Sequence, residues 1–348
     1  MYDGCKWPWT GLTIDPQGYI ALCCNTNERK YLKTHISDID DIETFFYESE
    51  HMERARKEFL ETGWRKLNHC EMCQLGKGDW TMETANQLTG FNLSYLEFSM
   101  SNICNQMCVT CSSYFSNKWI KQEPLFGRTA NDMYSLTDKD IKTLEKGFST
   151  LEQLQLKGGE PLADSRNIKF LETLFEVNDK AFVTMCSNMQ NIPKKFWDLL
   201  KKHPTRFKMM VSMDGLGKQF DWVRGGDFDK VMRNCKGVYE ITGEKLYVNT
   251  VASIYTIKNL KQILDYTRDT EFLQNSYDHL DKVLVCLYPR WASHVFVMEQ
   301  DEYMDCIKDI PYCKLHEEKC QVDKYEYDQY VKHTSTMNGI RGFDINAL

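Results

Sequence analysis

The sequence has no long apolar run and no surplus of basic side chains. No stretch of about 18 consecutive apolar residues occurs, so no membrane-spanning helix is expected. The first residues, Met1 to Cys5, lack the basic patch and apolar stretch of a secretory signal. The formal net charge of −7 argues mildly against nonspecific nucleic-acid binding, which needs Lys and Arg to displace counterions. We therefore expect a cytoplasmic protein.

Cysteine, by contrast, is abundant. The chain has 14 cysteines in 348 residues, and its 42% hydrophobic and 27% charged content is that of an ordinary globular protein. Disulfides rarely persist in a reducing compartment, where thiols at regular spacings more often bind metals. The cysteine count is therefore the first indication of function.

From Tyr95 onward, short apolar runs alternate with helical patterns. The predicted strands are Tyr95–Ser99, Gln153–Lys157, Ala181–Cys186, Lys208–Met213, Lys245–Ala252 and Val283–Tyr288. The predicted helices between them are Thr137–Gly147, Asn167–Val177, Lys194–Lys202, Phe228–Thr242 and Ile257–Thr270. Strands separated by helices pair in parallel through right-handed crossovers. The pattern predicts an α/β fold, a partial and open (β/α)6 barrel.

Residues 1–93 have a different pattern. A compact, turn-rich hairpin is predicted around Asp15-Pro16-Gln17-Gly18, followed by a helix over about Asp41–Thr62. We expect a small cysteine-bearing domain at 1–93, the barrel at 94–300 and a C-terminal extension at 301–348.

Three cysteines form a tight group directly after the first barrel strand. Cys104, Cys108 and Cys111 have the spacing Cys-x3-Cys-x2-Cys. A [4Fe–4S] cluster normally takes four thiolates, so three leave one iron open to the amine and carboxylate of S-adenosylmethionine (SAM). The loop follows a strand's carboxyl end, where α/β barrels place their chemistry. A zinc site is the alternative, but no fourth thiol or His lies within the adjacent twenty residues.

Small and polar residues end the following strands. Gly158, Gly159 and Glu160 follow the second strand, where glycines let a ligand approach the backbone and expose carbonyls to an ammonium group. Two further strand ends carry side chains suited to ribose hydroxyls, namely Ser187 and Asn188, and Ser212 and Asp214. Arg224 is a candidate partner for the SAM carboxylate, with a surface salt bridge as the alternative.

These motifs make the chain resemble the radical SAM superfamily, and in particular its members with a twitch or SPASM auxiliary-cluster domain. The resemblance implies that the triplet binds the cluster and that the glycine turn binds the SAM amine. It also implies that Ser212 and Asp214 lie near the ribose and that Val248–Ala252, including Val251, borders the adenine. Thr110 departs from the family pattern, which usually has an aromatic or bulky apolar residue before the third cysteine.

The N-terminal cysteines suggest a second metal site. Cys5, Gly18 and Cys23 have a spacing that resembles the start of a SPASM or twitch domain, and Cys70 and Cys73 complete four thiolates. An auxiliary [4Fe–4S] cluster is expected there, with zinc as the alternative. The roles of Cys24, Cys306, Cys313 and Cys320 stay open between core thiols and further ligands.

The expected activity is reductive cleavage of SAM to a 5′-deoxyadenosyl radical, which abstracts hydrogen from a substrate carbon. The resemblance implies an oxidoreductase that modifies a peptide or protein side chain, and Trp7, Trp9 and Trp64 are candidates for a peptide groove or for aromatic core. A carbohydrate or nucleotide-like substrate is the alternative within the enzyme class. The partners would be SAM and an electron donor such as flavodoxin or ferredoxin. The alternative from another class is a non-catalytic iron–sulfur or zinc protein. No catalytic residue is assigned.

Overall fold

The computed structural model describes residues 6–21, 34–62, 91–275, 306 and 324–347. The chain divides into two compact units. The first comprises Met1–Ile103 and Met133–Met185, and the second comprises Cys104–Asp132 and Cys186–Leu348. Within the described residues, no helix combines the length and apolar character that crossing a membrane would require.

The first unit is built on a largely parallel sheet. Its strands are β1 (Gly11–Ile14), β2 (Ile20–Ala21), β3 (Tyr95–Ser99), β4 (Gln153–Lys157) and the start of β5 (Phe182–Ser187). β1 pairs with β2 antiparallel and with β3 in parallel, and β3–β4 and β4–β5 are parallel. The helices are α1 (Trp7–Thr10), α2 (Ile42–Glu48), α3 (Glu50–Thr62), α4 (Asp138–Glu145) and α5 (Arg166–Val177).

Register gives this sheet one apolar and one polar face. Leu12, Leu96, Leu154 and Val183 align across the strands, and these side chains are all buried. The next row along the strands, on the other face, is Thr13, Glu97, Gln155 and Thr184. Because side chains alternate along a strand, the polar residues share that second face.

The hairpin predicted at Asp15–Gly18 is confirmed. The Asp15 carboxylate accepts hydrogen bonds from the Gln17 and Tyr19 amides at 2.7 and 2.9 Å. Gly18 has a φ of 82°, and a Cβ there would lie 2.0 Å from the Tyr134 hydroxyl, so only glycine fits this turn. Because β1 of the hairpin also pairs with β3, the hairpin extends the sheet edge. The division at residues 93 and 300 stays a prediction.

The second unit contains β6 (Phe207–Ser212), β7 (Leu246–Asn249) and β8 (Leu273–Asn275), which pair in parallel. Its helices are α6 (Lys194–Lys202), α7 (Gly217–Arg224), α8 (Phe228–Thr242), α9 (Leu260–Asp269) and α10 (Lys324–Arg341). A core cluster joins Trp119, Trp222, Tyr255 and Met337, so α10 packs against the segment that follows the cysteine triplet.

The predicted α/β fold class is confirmed, and five of the six predicted strands are present. Tyr95–Ser99 and Gln153–Lys157 have the predicted bounds, and the ends of the other three are shifted by one to three residues. The sixth, Val283–Tyr288, lies outside the described residues. The helices Lys194–Lys202 and Phe228–Thr242 have the predicted bounds. The single helix predicted over Asp41–Thr62 is wrong, because Ser49 adopts an extended conformation that separates α2 from α3.

Candidate functional site

The loop of residues 104–111, the cysteine loop, gathers the predicted cluster ligands. Cys104 and Cys108 are buried, Cys111 is half-buried, and none of the three forms a disulfide. Burial, together with the charges of Cys108 and Cys104, raises the pKa of the Cys111 thiol. The three thiols therefore lie close enough to repel one another once ionised, an arrangement that bound iron would stabilise.

Side chains from outside the triplet hold the backbone of the cysteine loop. The four hydrogen bonds are Cys104 N–H to Asn117 Oδ1 at 2.9 Å, Ser116 Oγ–H to Gln106 O at 2.9 Å, Trp119 Nε1–H to Cys108 O at 3.0 Å and Arg341 to Met107 O. With three successive carbonyls bonded in this way, the loop conformation does not depend on the thiols alone.

A buried ion pair lies beside Cys108. Arg224 donates to the Asp214 carboxylate at 2.8 Å, and the two side chains are only 13% and 1% exposed. Burial raises the pKa of the Cys108 thiol, and the Arg224 charge opposes that rise. Among the described residues, Nε of Arg224 has no hydrogen-bond partner although it is buried. The guanidinium therefore keeps one donor for a further acceptor.

Asp214 also binds the segment after β7. Its second carboxylate oxygen accepts the Val251 amide at 2.7 Å, and the Val251 carbonyl accepts the Thr256 hydroxyl at 2.8 Å. The structure thus brings Asp214, Arg224 and Val251 together near Cys108. Val251 lies beyond the end of its strand, which stops at Asn249.

The turn after β5 joins the cysteine loop through an amide pair. Asn188 donates to the Asn105 side chain at 2.7 Å and accepts the Gln190 amide at 2.9 Å. The Ser187 hydroxyl accepts the amide of Met189, which has the unusual φ of 55° for a residue other than glycine. Ser212 instead contacts Cys186, with 3.6 Å between oxygen and sulfur. Asn188 is therefore the predicted ribose-binding residue that directly supports the loop.

In the first unit, the Gly158-Gly159-Glu160 turn packs on residues 101–103, which lead into Cys104. The Gly159 amide donates to Ser101 O at 3.2 Å, and the Glu160 amide donates to Ile103 O at 2.8 Å. A Cβ on Gly159 would lie 2.1 Å from Ile103 O. The buried Glu160 side chain accepts the Leu162 amide at 3.1 Å. The glycines are thus required by close backbone packing.

The donor set fits a [4Fe–4S] cluster with one open iron. Three thiols stand in one braced loop, and a buried guanidinium beside them has a donor to spare for a carboxylate. Among the described residues, no three His, Cys, Asp or Glu side chains are gathered closely enough to hold a single metal ion. That does not conflict with a cluster, in which each thiolate binds a different iron.

Other predicted ligands are not described. Cys5, Cys23, Cys70 and Cys73 lie outside the described residues, as do Cys24, Cys313 and Cys320. Cys306 is half-buried and forms no disulfide. Conversely, motif spacing gave no signal for Asn117, Trp119 or Arg341, because none of them belongs to a recurring pattern. Only their contacts assign them to the site.

Comparison with known proteins gives a family match for part of the chain. The sequence profile described as Radical SAM superfamily matches residues 98–266. The Probable GTP 3′,8-cyclase of Methanocaldococcus jannaschii is 23% identical over 186 residues, which are 52% of this chain and 57% of that protein. The chain therefore spans little more than half the length of this relative.

Two solved structures are similar at a low level. Native anSMEcpe with bound AdoMet is 16% identical with a TM-score of 0.42, covering 71% of this chain and 62% of that one. SuiB of Streptococcus suis is 19% identical with a TM-score of 0.37, covering 62% and 41%. Scores this low carry no argument, so the match rests on the profile. Residues 98–266 form a radical SAM superfamily domain, the domain of a superfamily of enzymes.

Proposed function

We propose that this protein cleaves SAM reductively at the cysteine loop and uses the resulting radical to oxidise a substrate. Cys104, Cys108 and Cys111 would hold a [4Fe–4S] cluster there, which would supply the one electron that breaks a sulfur–carbon bond of SAM into methionine and a 5′-deoxyadenosyl radical able to take a hydrogen atom from a substrate carbon. The observation that carries the proposal is the braced triplet of Cys104, Cys108 and Cys111 beside the Arg224–Asp214 pair.

The second unit's residues have distinct roles in binding SAM. Cys104, Cys108 and Cys111 would hold the cluster, and Arg224 offers its Nε–H to the SAM carboxylate. Asp214 orients that guanidinium. Since the amide and carbonyl of Val251 already have partners, Val251 contacts adenine through its side chain.

The remaining residues bind the other parts of SAM. The turn of Gly158, Gly159 and Glu160 presents carbonyls to the SAM ammonium group. Its glycines at the same time let residues 101–103 pack closely. Ser187, Asn188 and Ser212 stand at strand ends and bind the ribose through short polar side chains.

For the substrate we propose a peptide or protein side chain. The polar sheet face of the first unit supports this proposal: Lys157 pairs with Glu97 at 2.8 Å, and the Tyr95 hydroxyl donates to Glu97 at 2.7 Å. Trp7 stacks on Tyr95 with 4.2 Å between ring centroids. A face with charges, an amide and a hydroxyl suits a substrate rich in hydrogen-bonding groups, as a peptide is.

A nucleotide-like substrate is the second candidate, because the curated relative is named a Probable GTP 3′,8-cyclase. Adding GTP, or separately a peptide mixture, to the reduced enzyme should distinguish the two. The true substrate class raises 5′-deoxyadenosine formation above the rate without substrate. A response to GTP alone would overturn the peptide proposal.

The auxiliary site and the partners also belong to the proposal. Cys5, Cys23, Cys70 and Cys73 would hold a second [4Fe–4S] cluster, which would supply an electron acceptor for the substrate radical. The electron for the triplet site would come from a low-potential donor such as flavodoxin or ferredoxin. Zinc in the four-cysteine site is the alternative, and metal analysis of a Cys70→Ala variant separates the two: lost zinc would contradict a second cluster.

The deciding experiment is anaerobic reconstitution, followed by assay for 5′-deoxyadenosine with dithionite and SAM. Cys104→Ala should abolish the product, because the triplet then supplies only two thiolates. Cys235→Ala is the matched control, since Cys235 is a fully buried thiol of α8 outside the cysteine loop. It should keep the product. An intact cluster that binds SAM and yields no 5′-deoxyadenosine would instead support the non-catalytic alternative.

A further inference from the structure

The C-terminal helix α10 reaches the cysteine loop through its last residue. Arg341 donates through Nε to the Trp222 carbonyl at 2.8 Å and through a terminal nitrogen to the Met107 carbonyl. Met107 immediately precedes Cys108. A guanidinium can make both bonds at once because its donors have a fixed planar geometry. One side chain therefore ties the cysteine loop to the end of α7.

The position of Arg341 is determined by the packing around it. A Cβ on Gly225 would lie 2.6 to 2.8 Å from the guanidinium atoms, so the absence of a side chain at Gly225 makes room for Arg341. One turn earlier, Asn338 accepts the Trp222 indole N–H at 2.9 Å. Met337 belongs to the buried core cluster. The register of α10 is therefore fixed, and Arg341 is held at the loop.

The charges of Arg341 and Arg224 have different partners. Asp214 balances Arg224 with an ion pair, whereas both acceptors found for Arg341 among the described residues are main-chain carbonyls. Burial lowers the pKa of Arg341 and the Cys108 charge opposes this, but an arginine stays cationic in proteins. Arg341 thus places near the cluster ligands a positive charge that no carboxylate of the described residues pairs with.

We propose that Arg341 is a positioning residue for the triplet cluster. Arg341 holds the Met107 carbonyl, and its charge raises the reduction potential of the cluster. Reduction adds one negative charge to the cluster, and a nearby cation stabilises the more negative state. The C-terminal helix is thereby part of the cluster-binding site. This inference rests on the proposed function, since it needs a cluster at Cys104, Cys108 and Cys111.

The test is a potentiometric titration of the cluster. Electron paramagnetic resonance monitors the cluster signal that changes when SAM is added. Arg341→Gln removes the charge, and Lys332→Gln removes the same charge from an exposed position of the same helix. At a fixed potential, Arg341→Gln should lower the ratio of reduced to oxidised cluster about tenfold, which is about 59 mV for a one-electron couple. Lys332→Gln should have the same ratio of reduced to oxidised cluster as the wild type.

Equal potentials and equal iron content in the two Gln variants would overturn the inference. A folded Arg341→Gln protein that loses iron while Lys332→Gln keeps it supports the positioning role. If Arg341→Gln does not fold, Arg341→Lys decides, because lysine keeps the charge and loses the planar fork. If Arg341→Lys had the iron content and the electron paramagnetic resonance line shape of the wild type, the positioning role of Arg341 would be refuted. A wild-type protein without a SAM-responsive signal would refute the proposed function itself.

Discussion

Gly159→Ala tests whether the glycine turn is required by the loop that leads into the cysteines. The added Cβ would lie 2.1 Å from Ile103 O, 2.6 Å from Ile103 C and 2.9 Å from Asn102 C. All three are backbone atoms, so no side-chain rotation relieves the clash. The backbone of residues 102 and 103 has to move.

The expected cost has two parts. Forcing extra volume into a packed site costs about 1–3 kcal/mol. Displacing the loop also strains the bonds from the Gly159 and Glu160 amides, each worth about 0.5–1.5 kcal/mol. We therefore expect a loss of about 3 kcal/mol in the free energy of unfolding. Because Ile103 precedes Cys104, iron incorporation should fall as well.

The assay is denaturant unfolding of the variant with iron analysis after reconstitution. Gly339→Ala is the matched control, because a Cβ at this position of α10 would meet nothing within 4 Å. It should stabilise the protein by about 1 kcal/mol, the usual gain from alanine in a helix. The reasoning would be refuted if Gly159→Ala matched the wild type in unfolding midpoint and iron content.

Two further predictions concern ion pairs. Arg224→Met leaves the Asp214 carboxylate buried without its cation and should lower the free energy of unfolding, measured with denaturant, by about 3–5 kcal/mol. Lys261→Met, in an exposed pair, should lower it by at most about 1 kcal/mol. Equal losses in the two variants would contradict the prediction. Burial works against Asp164, but hydrogen bonds from Arg166 and Ser101 prevail and lower its pKa below 3.8. This carboxylate therefore stabilises the fold above about pH 4, and the contribution is lost as the pH falls through the folded pKa. The stability gap between wild type and Asp164→Asn, from urea midpoints across pH, should shrink in acid, and a constant gap would exclude this linkage.

Local patterns explain what could be predicted from the sequence. The bounds of Lys194–Lys202 and Phe228–Thr242 follow from helical periodicity, with Pro193 before the first and Gly243 in a left-handed conformation after the second. Thr137, the first residue of the predicted helix Thr137–Gly147, forms a capping box with Asp140. The cysteine spacing needs no more than eight residues to indicate a cluster. Each of these signals lies within a single short segment of the chain.

Contacts between distant residues were decided by the tertiary structure alone. Arg341 bonds to Met107 across 234 positions, and no residue pattern in a single sequence links the two. Likewise, Gly159 was predicted as a ligand-binding residue from its place after a strand, while its packing against Ile103 became visible only in three dimensions. The sequence by itself thus predicted the class of chemistry at the three cysteines, because their spacing is local. The hydrogen bonds that hold the cysteine loop come from residues outside it, so they depend on how the chain packs in three dimensions.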